Sequence, residues 1–399
     1  MKIALSIEHF SKHRGGAESY AVELARTLIS EGWEVHLFGH EWDLDPPEAI
    51  FHEIPRLPKW IPPSIRILHF AWRHRILVSK EHFDVIVGFG NTITMNVYQS
   101  HGGVHSLSTI RKIQGISHPL LRSMKRLAVL LSPKHYARAW IESAPFRIHP
   151  QPLIVAISDM VRQDMARAYR VSPCSIRLVY NGIDVKHFGA PDASLCEKLR
   201  HHLGFSKDHV LFLFMAYDFA KKGVANLLQA AALLQNRVGR DRFGVVVVGG
   251  EPSSALVRLV KRLNLVDSVV FPGRTREPEL FYGACDVFVL PTFYDACSLV
   301  VFEAMAAGLP AITTVWNGAS GIITPGLDGV VLSDPRDSNA LALAMAYFID
   351  RNILRAASQA ARQTAARYTI QVNHRKMLAI FQEAAQSSRQ QSCGEKRPP

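Results

Sequence analysis

The chain has 399 residues, 48% of them hydrophobic and 20% charged. That balance excludes a disordered or low-complexity protein and suits about two globular domains. Lys and Arg outnumber Asp and Glu by 46 to 34, a formal charge of +12 at pH 7 with a pI near 9.6, so anionic partners are expected. No apolar run reaches the ~18 residues that cross a bilayer. Five cysteines, Cys174, Cys196, Cys285, Cys297 and Cys393, lack paired metal spacing; a reducing cytoplasm is the expected compartment.

Residues 1–7 read as a first strand, too short for a signal peptide. A loop with the adjacent glycines Gly15 and Gly16 follows, then a helix whose stripe Tyr20, Ala21, Leu24 and Leu28 ends at Gly32. Two glycines between strand and helix permit either a tight turn or close approach of a ligand to the backbone. Val35–Phe38 is the next strand. Asp43 and Asp45 form an Asp-x-Asp that sits among prolines with no further ligands, so it reads as a loop rather than a metal site. Further strands are Val85–Phe89 and Leu153–Ile157. Gly88 and Gly90 lack the third glycine of a dinucleotide fingerprint. The loop between those strands holds His101 and His105 around Gly102 and Gly103; either an imidazole for a sugar hydroxyl or an ordinary surface loop fits, with His101 slightly preferred. A helix over Asp159–Tyr169 and a strand from Ile176 lead to a turn at Asn181 and Gly182.

Two clusters concentrate the positive charge in this half. Trp60, Arg66, Trp72, Arg73, His74 and Arg75 form one. Arg111, Lys112, Arg122, Lys125 and Arg126 form the other, interleaved with Leu120, Leu121, Leu127, Leu130 and Leu131. Cations and leucines at helical spacing favour an anionic membrane surface or a phosphorylated glycan. A solvated basic face is the plainer alternative. No nucleic-acid-binding motif is present, so nucleic acid is not an expected partner.

A second α/β nucleus opens at Val210–Ala216, followed by Asp218, Lys221, Lys222 and Gly223 ahead of a helix. Two lysines at a βα turn make a compact anion site. Strands near Val245 and Ser268 follow, the latter reaching Gly273 and Arg274. Strand 286–290 then runs into a loop carrying Asp295. A helix is expected from Ser298, an N-cap residue type, to Gly308, with Pro310 blocking continuation. Asp295 and Glu303 thus flank a helix N-terminus at the carboxyl end of a strand, where open α/β sheets bind ligands. The free N–H groups there suit a phosphate, and the carboxylates suit sugar hydroxyls.

The segment from Asp295 to Pro310, the turn Lys221-Lys222-Gly223 and the glycine loop resemble the retaining glycosyltransferases of family 4, which have the GT-B fold. The turn from Asp218 to Gly223 is similar to that of the lipopolysaccharide core glucosyltransferases of Gram-negative bacteria. The resemblance covers about residues 1 to 385. It implies an α/β protein of two Rossmann-like, doubly wound domains facing across a cleft. The acceptor-side domain would be 1–188 and the nucleotide-sugar domain 189–369, with a linker near 185–207. Helix 370–385 would return to the first domain, ahead of a disordered tail at 387–399.

By the same resemblance Glu303 binds ribose, Lys221 and Lys222 hold the diphosphate, and Asp295 contacts the donor sugar. Backbone groups at Ser298 and Leu299 take phosphate oxygens, Gly273 and Arg274 lie by the base, and Gly15, Gly16 and His101 complete the set. Asp295 stands where the family has Glu, one methylene longer. Gly321 stands where the family commonly has Glu. The implied reaction moves a hexose from a UDP-linked donor to a lipid-linked or envelope glycan, without cofactor or metal, on the inner face of the cytoplasmic membrane. A nucleotide-sugar 2-epimerase of the same fold and a non-catalytic GT-B binding protein are the alternatives.

Overall fold

The computed structural model describes residues 1–11, 15–42, 48–116 and 118–394. It divides into a unit of Met1–Tyr180 joined by the chain from Asn373 onward, and a second unit of Asn181–Val372. The division falls earlier than the expected 188/189. The expected linker is structured: Val185–Gly189 and Ala193–His202 are helices, each started by an aspartate, Asp184 and Asp192, whose carboxylate caps two backbone N–H groups. Those caps were readable in the sequence and outweigh the polar composition of the stretch.

In the first unit nine strands precede Tyr180: β1 (Lys2–Ser6), β2 (His9–Phe10), β3 (Glu34–Gly39), β4 (Glu41–Trp42), β5 (Ile50–Glu53), β6 (Val85–Gly88), β7 (Val97–Ser100), β8 (Leu153–Ala156) and β9 (Ile176–Leu178). Seven form one parallel sheet in the order β5-β3-β1-β6-β7-β8-β9, while β2 and β4 pair beside it. Ile3 pairs with Val35 on one side and Val85 on the other, and all three are fully buried. Runs buried on both faces are what a parallel sheet covered by helices requires. One of those helices is Gly16–Ser30, whose Leu24, Ala25 and Leu28 are fully buried.

The last helix, Ile370–Gly394, buries Met377, Ile380 and Phe381 in the same core as Ile3 and Leu24. It therefore completes the first unit. It also continues to Gly394, into the region expected to be a disordered tail, whose residues 395–399 lie outside the described residues. Ser387 and Ser388 donate their hydroxyls to the carbonyls of Glu383 and Ala384, and Asn96 Nδ2 donates to Ser388 Oγ at 3.1 Å. Polar side chains satisfied by their own helix and one neighbour do not end it.

The second unit holds six strands: β10 (Val210–Ala216), β11 (Phe243–Gly249), β12 (Val269–Gly273), β13 (Val287–Leu290), β14 (Ala311–Thr314) and β15 (Gly329–Leu332). All pair in parallel, in the order β12-β11-β10-β13-β14-β15. The first three strands run outward one way and the last three the other, so the winding reverses between β10 and β13. Crevices at such a reversal, beyond the carboxyl ends of the strands, are where doubly wound sheets bind ligands.

Candidate active site

The loops leaving β10 and β13 meet at that reversal. Asp218 caps the short helix Phe219–Lys222, and Gly223 ends it in the left-handed conformation, φ 83°. A Cβ on Gly223 would stand 2.1 Å from the carbonyl oxygen of Pro291, the residue after β13. Only glycine permits this approach. Lys221 carbonyl oxygen accepts from Phe293 N at 3.2 Å and from Thr292 Oγ1 at 3.4 Å, stitching the two loops together.

The result is an ion pair between Lys222 Nζ and Asp295 Oδ2. Ser298 Oγ donates to the same carboxylate oxygen. Burial pushes the Asp295 carboxyl up, but the Lys222 charge, the hydrogen bonds from Lys222 and Ser298 and one from the Cys297 backbone outweigh it. The net pKa lies below the usual aspartate value. Asp295 is thus ionised at neutral pH. Lys221 instead pairs with Asp218, so the two lysines are not equivalent.

A third loop, after β14, holds Asp295 from below. Asp295 N donates to Trp316 O at 3.0 Å, Gly318 N donates to Asp295 O at 2.8 Å, and Ser298 N donates to Asn317 Oδ1 at 3.3 Å. Asn317, fully buried, also caps the 3₁₀ turn Gly318–Ile322 that contains Gly321. Nothing in the sequence singles out Asn317 as a support for the acidic loop.

Helix Leu299–Ala307 is preceded by Ser298 and ended by Gly308 at φ 93°. Ser298 occupies the cap position, but its hydroxyl goes to Asp295, and no side chain caps the helix. The N–H groups of Leu299 and Val300 are left for an anion, whereas Val301 N donates to Ser298 O at 3.2 Å and the Ser298 N–H, expected to take a phosphate oxygen, is already held by Asn317. Glu303 lies on the next turn. Its Oε2 accepts from Tyr282 Oη at 2.7 Å, and Oε1 has no protein partner among the described residues. Burial raises the Glu303 pKa, offset in part by the Tyr282 hydrogen bond and by His187. Tyr282, fully buried and not foreseen, is the orienting partner of this carboxylate.

Gly273 ends β12 at φ 81°, and the Arg274 guanidinium lies 5.9 Å over the ring of Tyr217, which is 75% exposed at the end of β10. Lys222, Asp295, Ser298, Leu299 and Glu303 therefore come together around the β10/β13 reversal, and Gly273 and Arg274 lie on the β12 side of the same sheet.

Gly15, Gly16 and His101 belong to the first unit. Gly15 precedes the helix Gly16–Ser30 in extended conformation. His101 packs 4.7 Å from Tyr20 and 5.4 Å from Phe89 between ring centroids, and its Nε2 is buried without a hydrogen-bond partner. Burial pushes its pKa down to about 3, so the ring is neutral. His105 is committed elsewhere: its backbone N donates to Glu142, and its Nε2 lies 2.7 Å from His135 Nδ1. The geometry separates two histidines that the sequence left nearly level.

Two members of the basic clusters are structural. His74 is fully buried against Ser6 Oγ at 2.7 Å, and Arg111 makes a two-pronged bond to Asp164 at 2.7 and 2.9 Å. Asp43 and Asp45 lie outside the described residues. His36, His52 and Glu81 come within 4.8 Å of one another, but the Lys2 ammonium already sits 2.7 Å from Glu81.

Residues 14–187 match the family described as Glycosyltransferase Family 4, and residues 197–364 match Glycosyl transferases group 1. The chain is a glycosyltransferase of the GT-B type. It is 25% identical over 354 residues to the lipopolysaccharide glucosyltransferase WaaG of Escherichia coli K12, covering 86% of this chain and 88% of that one. It is 26% identical to D-inositol 3-phosphate glycosyltransferase 2 of Catenulispora acidiphila, over 84% and 82% of the two chains. Among solved structures, this glycosyltransferase superposes on WaaG with a TM-score of 0.77 at 21% identity, over 95% and 99% of the chains. Anabaena Alr3699/HepE in complex with UDP-glucose matches with a TM-score of 0.65 at 17% identity, over 98% and 100%. These last two likenesses bear on the fold.

Proposed function

We propose that this glycosyltransferase moves a hexose, glucose first among them, from a UDP-linked donor to a lipopolysaccharide-core or other cell-envelope glycan, with retention at the anomeric carbon. The observation that carries the reading is the ion pair of Lys222 with Asp295 beside an uncapped helix N-terminus at the sheet reversal. Lys222 and the N–H group of Leu299 neutralise the diphosphate as it leaves, with Lys221 close by on the same turn, in the place a divalent ion takes elsewhere. Asp295, already ionised, accepts from donor-sugar hydroxyls. Glu303, with Oε1 unoccupied and Oε2 fixed by Tyr282, accepts from ribose. Arg274 and Gly273 lie on the side where the base would sit. Relatives named for lipopolysaccharide and inositol-phosphate glycosylation, and a fold neighbour named with UDP-glucose, support the donor class.

We assign no second carboxylate among the described residues as a covalent nucleophile. In our reading the acceptor hydroxyl attacks C1 from the face the diphosphate leaves. The C1–O bond to phosphate breaks, the C1–O bond to the acceptor forms, and the acceptor proton passes to a departing phosphate oxygen. Gly15, Gly16 and His101 serve the first unit's side of the reaction.

The acceptor side would work at the inner face of the cytoplasmic membrane. Helix Pro119–Leu130 has no buried residue; Leu120, Leu121, Met124, Leu127 and Leu130 are each more than half exposed, beside exposed Lys125 and Arg126. Such an amphipathic surface favours an anionic bilayer. No helix among the described residues is long and apolar enough to cross a membrane.

UDP release from a panel of UDP-sugars, with and without envelope glycolipid extract and without added metal, tests the assignment. Release from one sugar that rises with the extract is expected. Conversion of the donor at full rate without any acceptor would point to an epimerase.

A further inference from the structure

The carboxyl ends of β1, β3 and β5 border a second polar cavity, of about 350 Å³, lying wholly within the first unit. Glu8 follows β1, His40 follows β3, and Arg56 and Lys59 follow β5; Arg66 comes from helix Pro63–Val78, and Lys134 and Arg138 from helix Pro133–Glu142. Three strand ends and two helices thus deliver five Arg and Lys side chains and one carboxylate to one concavity. The position is where parallel sheets bind ligands.

The charges are poorly answered by the protein. Arg56 pairs with Glu41 at 2.7 Å and donates to His9 Nδ1 at 3.0 Å. Glu8 accepts from Asn91 Nδ2 at 3.0 Å. Lys59, Arg66, Lys134 and Arg138 form no ion pair among the described residues. Arg66 is the decisive member: its Nε is buried and has no hydrogen-bond partner. A buried guanidinium N–H left unpaired costs free energy unless a ligand completes it. His40 adds direction, because its Nδ1 lies 2.6 Å from the Ile54 carbonyl oxygen and must donate to it. His69, lowered by burial and by the charges of Arg73 and His40, adds a neutral ring.

We propose that this cavity binds a phosphate monoester carried on the acceptor saccharide. A phosphate offers three strong acceptor oxygens and up to two negative charges, which match four unpaired cations and an orphaned Arg N–H better than a neutral sugar or a single carboxylate does. The cavity is distinct from the β10/β13 site, which would hold the donor diphosphate. The inference rests on the reading that the first unit receives the acceptor, and it narrows that acceptor to a phosphorylated glycan.

The test is titration calorimetry on the full chain at low salt, with saturating UDP filling the donor site, comparing mannose 6-phosphate with mannose. Binding at least tenfold tighter for the phosphorylated sugar, weakened by salt and by inorganic phosphate, is expected. Arg66→Gln should weaken it by at least tenfold. Lys134→Gln, at an exposed position that folding tolerates, should weaken it several-fold. UDP affinity should stay unchanged in both variants. Equal binding of mannose and its phosphate would overturn the proposal, as would variants that bind like the parent. Binding only to phosphatidic acid vesicles, and not to mannose 6-phosphate, would overturn it in favour of a lipid headgroup. Loss of UDP binding by the unaltered chain would count against the donor site instead, and the sugar comparison repeated without UDP still decides the phosphate question.

Discussion

Helices Pro119–Leu130 and Leu299–Ala307 are both rich in apolar side chains, yet they meet opposite environments. In the second, Val301, Phe302, Ala304 and Met305 are fully buried, and only one edge, with Glu303, remains partly open. In the first, no residue is buried. A buried helix between two strands can fix a carboxylate and an N-terminus to within a fraction of an ångström. An exposed helix of leucines and cations fixes nothing inside the chain; its apolar face is left for something outside. The proposed function gives chemistry to one helix and location to the other, and each proposal can be broken separately.

The largest effect belongs to the chemistry. Lys222→Ala removes the cation beside Asp295 that is proposed to meet the leaving diphosphate, and turnover should fall by about 10² to 10³. Steady-state UDP release, with circular dichroism as a folding control, measures it. A variant that retains most of its activity would dismiss the β10/β13 site as the donor site.

Stability separates the helices next. Met305 is fully buried, so Met305→Ala should cost about 2–5 kcal/mol. Met124 is 59% exposed, and Met124→Ala should change stability by no more than about 0.5 kcal/mol. Urea denaturation of the two variants checks the pair; equal losses would mean that the exposed helix packs against protein after all.

A subtler prediction uses the carboxylate of the buried helix. In the proposed role, ribose hydroxyls donate to ionised Glu303, whose pKa is raised above the ordinary glutamate value, chiefly by burial. UDP affinity is therefore full above that raised pKa and is lost as pH falls through it. Asp295, depressed by Lys222, stays charged over the same range and does not cause the loss. Tyr282→Phe removes a hydrogen bond that favours the ionised form, so the midpoint of the affinity profile should move to higher pH. An unmoved midpoint would show that Glu303 is not the titrating group.

The same contrast explains what could be read from the sequence. Helix Leu299–Ala307 announced itself through Ser298, Gly308 and Pro310, and strands β13 and β14 through short apolar runs, since local chemistry sets those boundaries. The Lys222–Asp295 pair was not legible, because it depends on Gly223 lying against Pro291 across 68 positions of chain. Tyr282 and Asn317 were invisible for the same reason: both act by long-range hydrogen bonds and carry no local signature. The turn expected at Asn181 and Gly182 does not form, and the glycine is needed for another reason. Gly182 is not at positive φ; a Cβ there would stand 2.6 Å from the backbone of Thr369 and Ile370. The stretch from 387 reads as disordered by composition, but as far as Gly394 it is helix, with Ser387 and Ser388 bonded to the preceding turn.

The smallest expected effect concerns the exposed helix, where each residue contributes little and the sum matters. Arg122 is held by the Ile116 carbonyl, with Nε and Nη2 at 2.9 and 2.8 Å, so its charge is partly spent inside the chain. Lys125 and Arg126 make no such contact among the described residues. A basic residue near an anionic bilayer is worth about 1 kcal/mol, so Lys125→Gln should reduce partition onto phosphatidylserine vesicles roughly fivefold. The loss should shrink as salt screens the attraction. Leu127→Gln should also weaken partition, and its effect should persist at high salt because apolar burial is not screened. Neither change should alter turnover on a soluble acceptor, since neither residue belongs to the proposed donor site. If both variants partition like the parent, the leucines of this helix do not meet a membrane. If instead they lower soluble turnover as Lys222→Ala does, location and chemistry are not divided between the two helices.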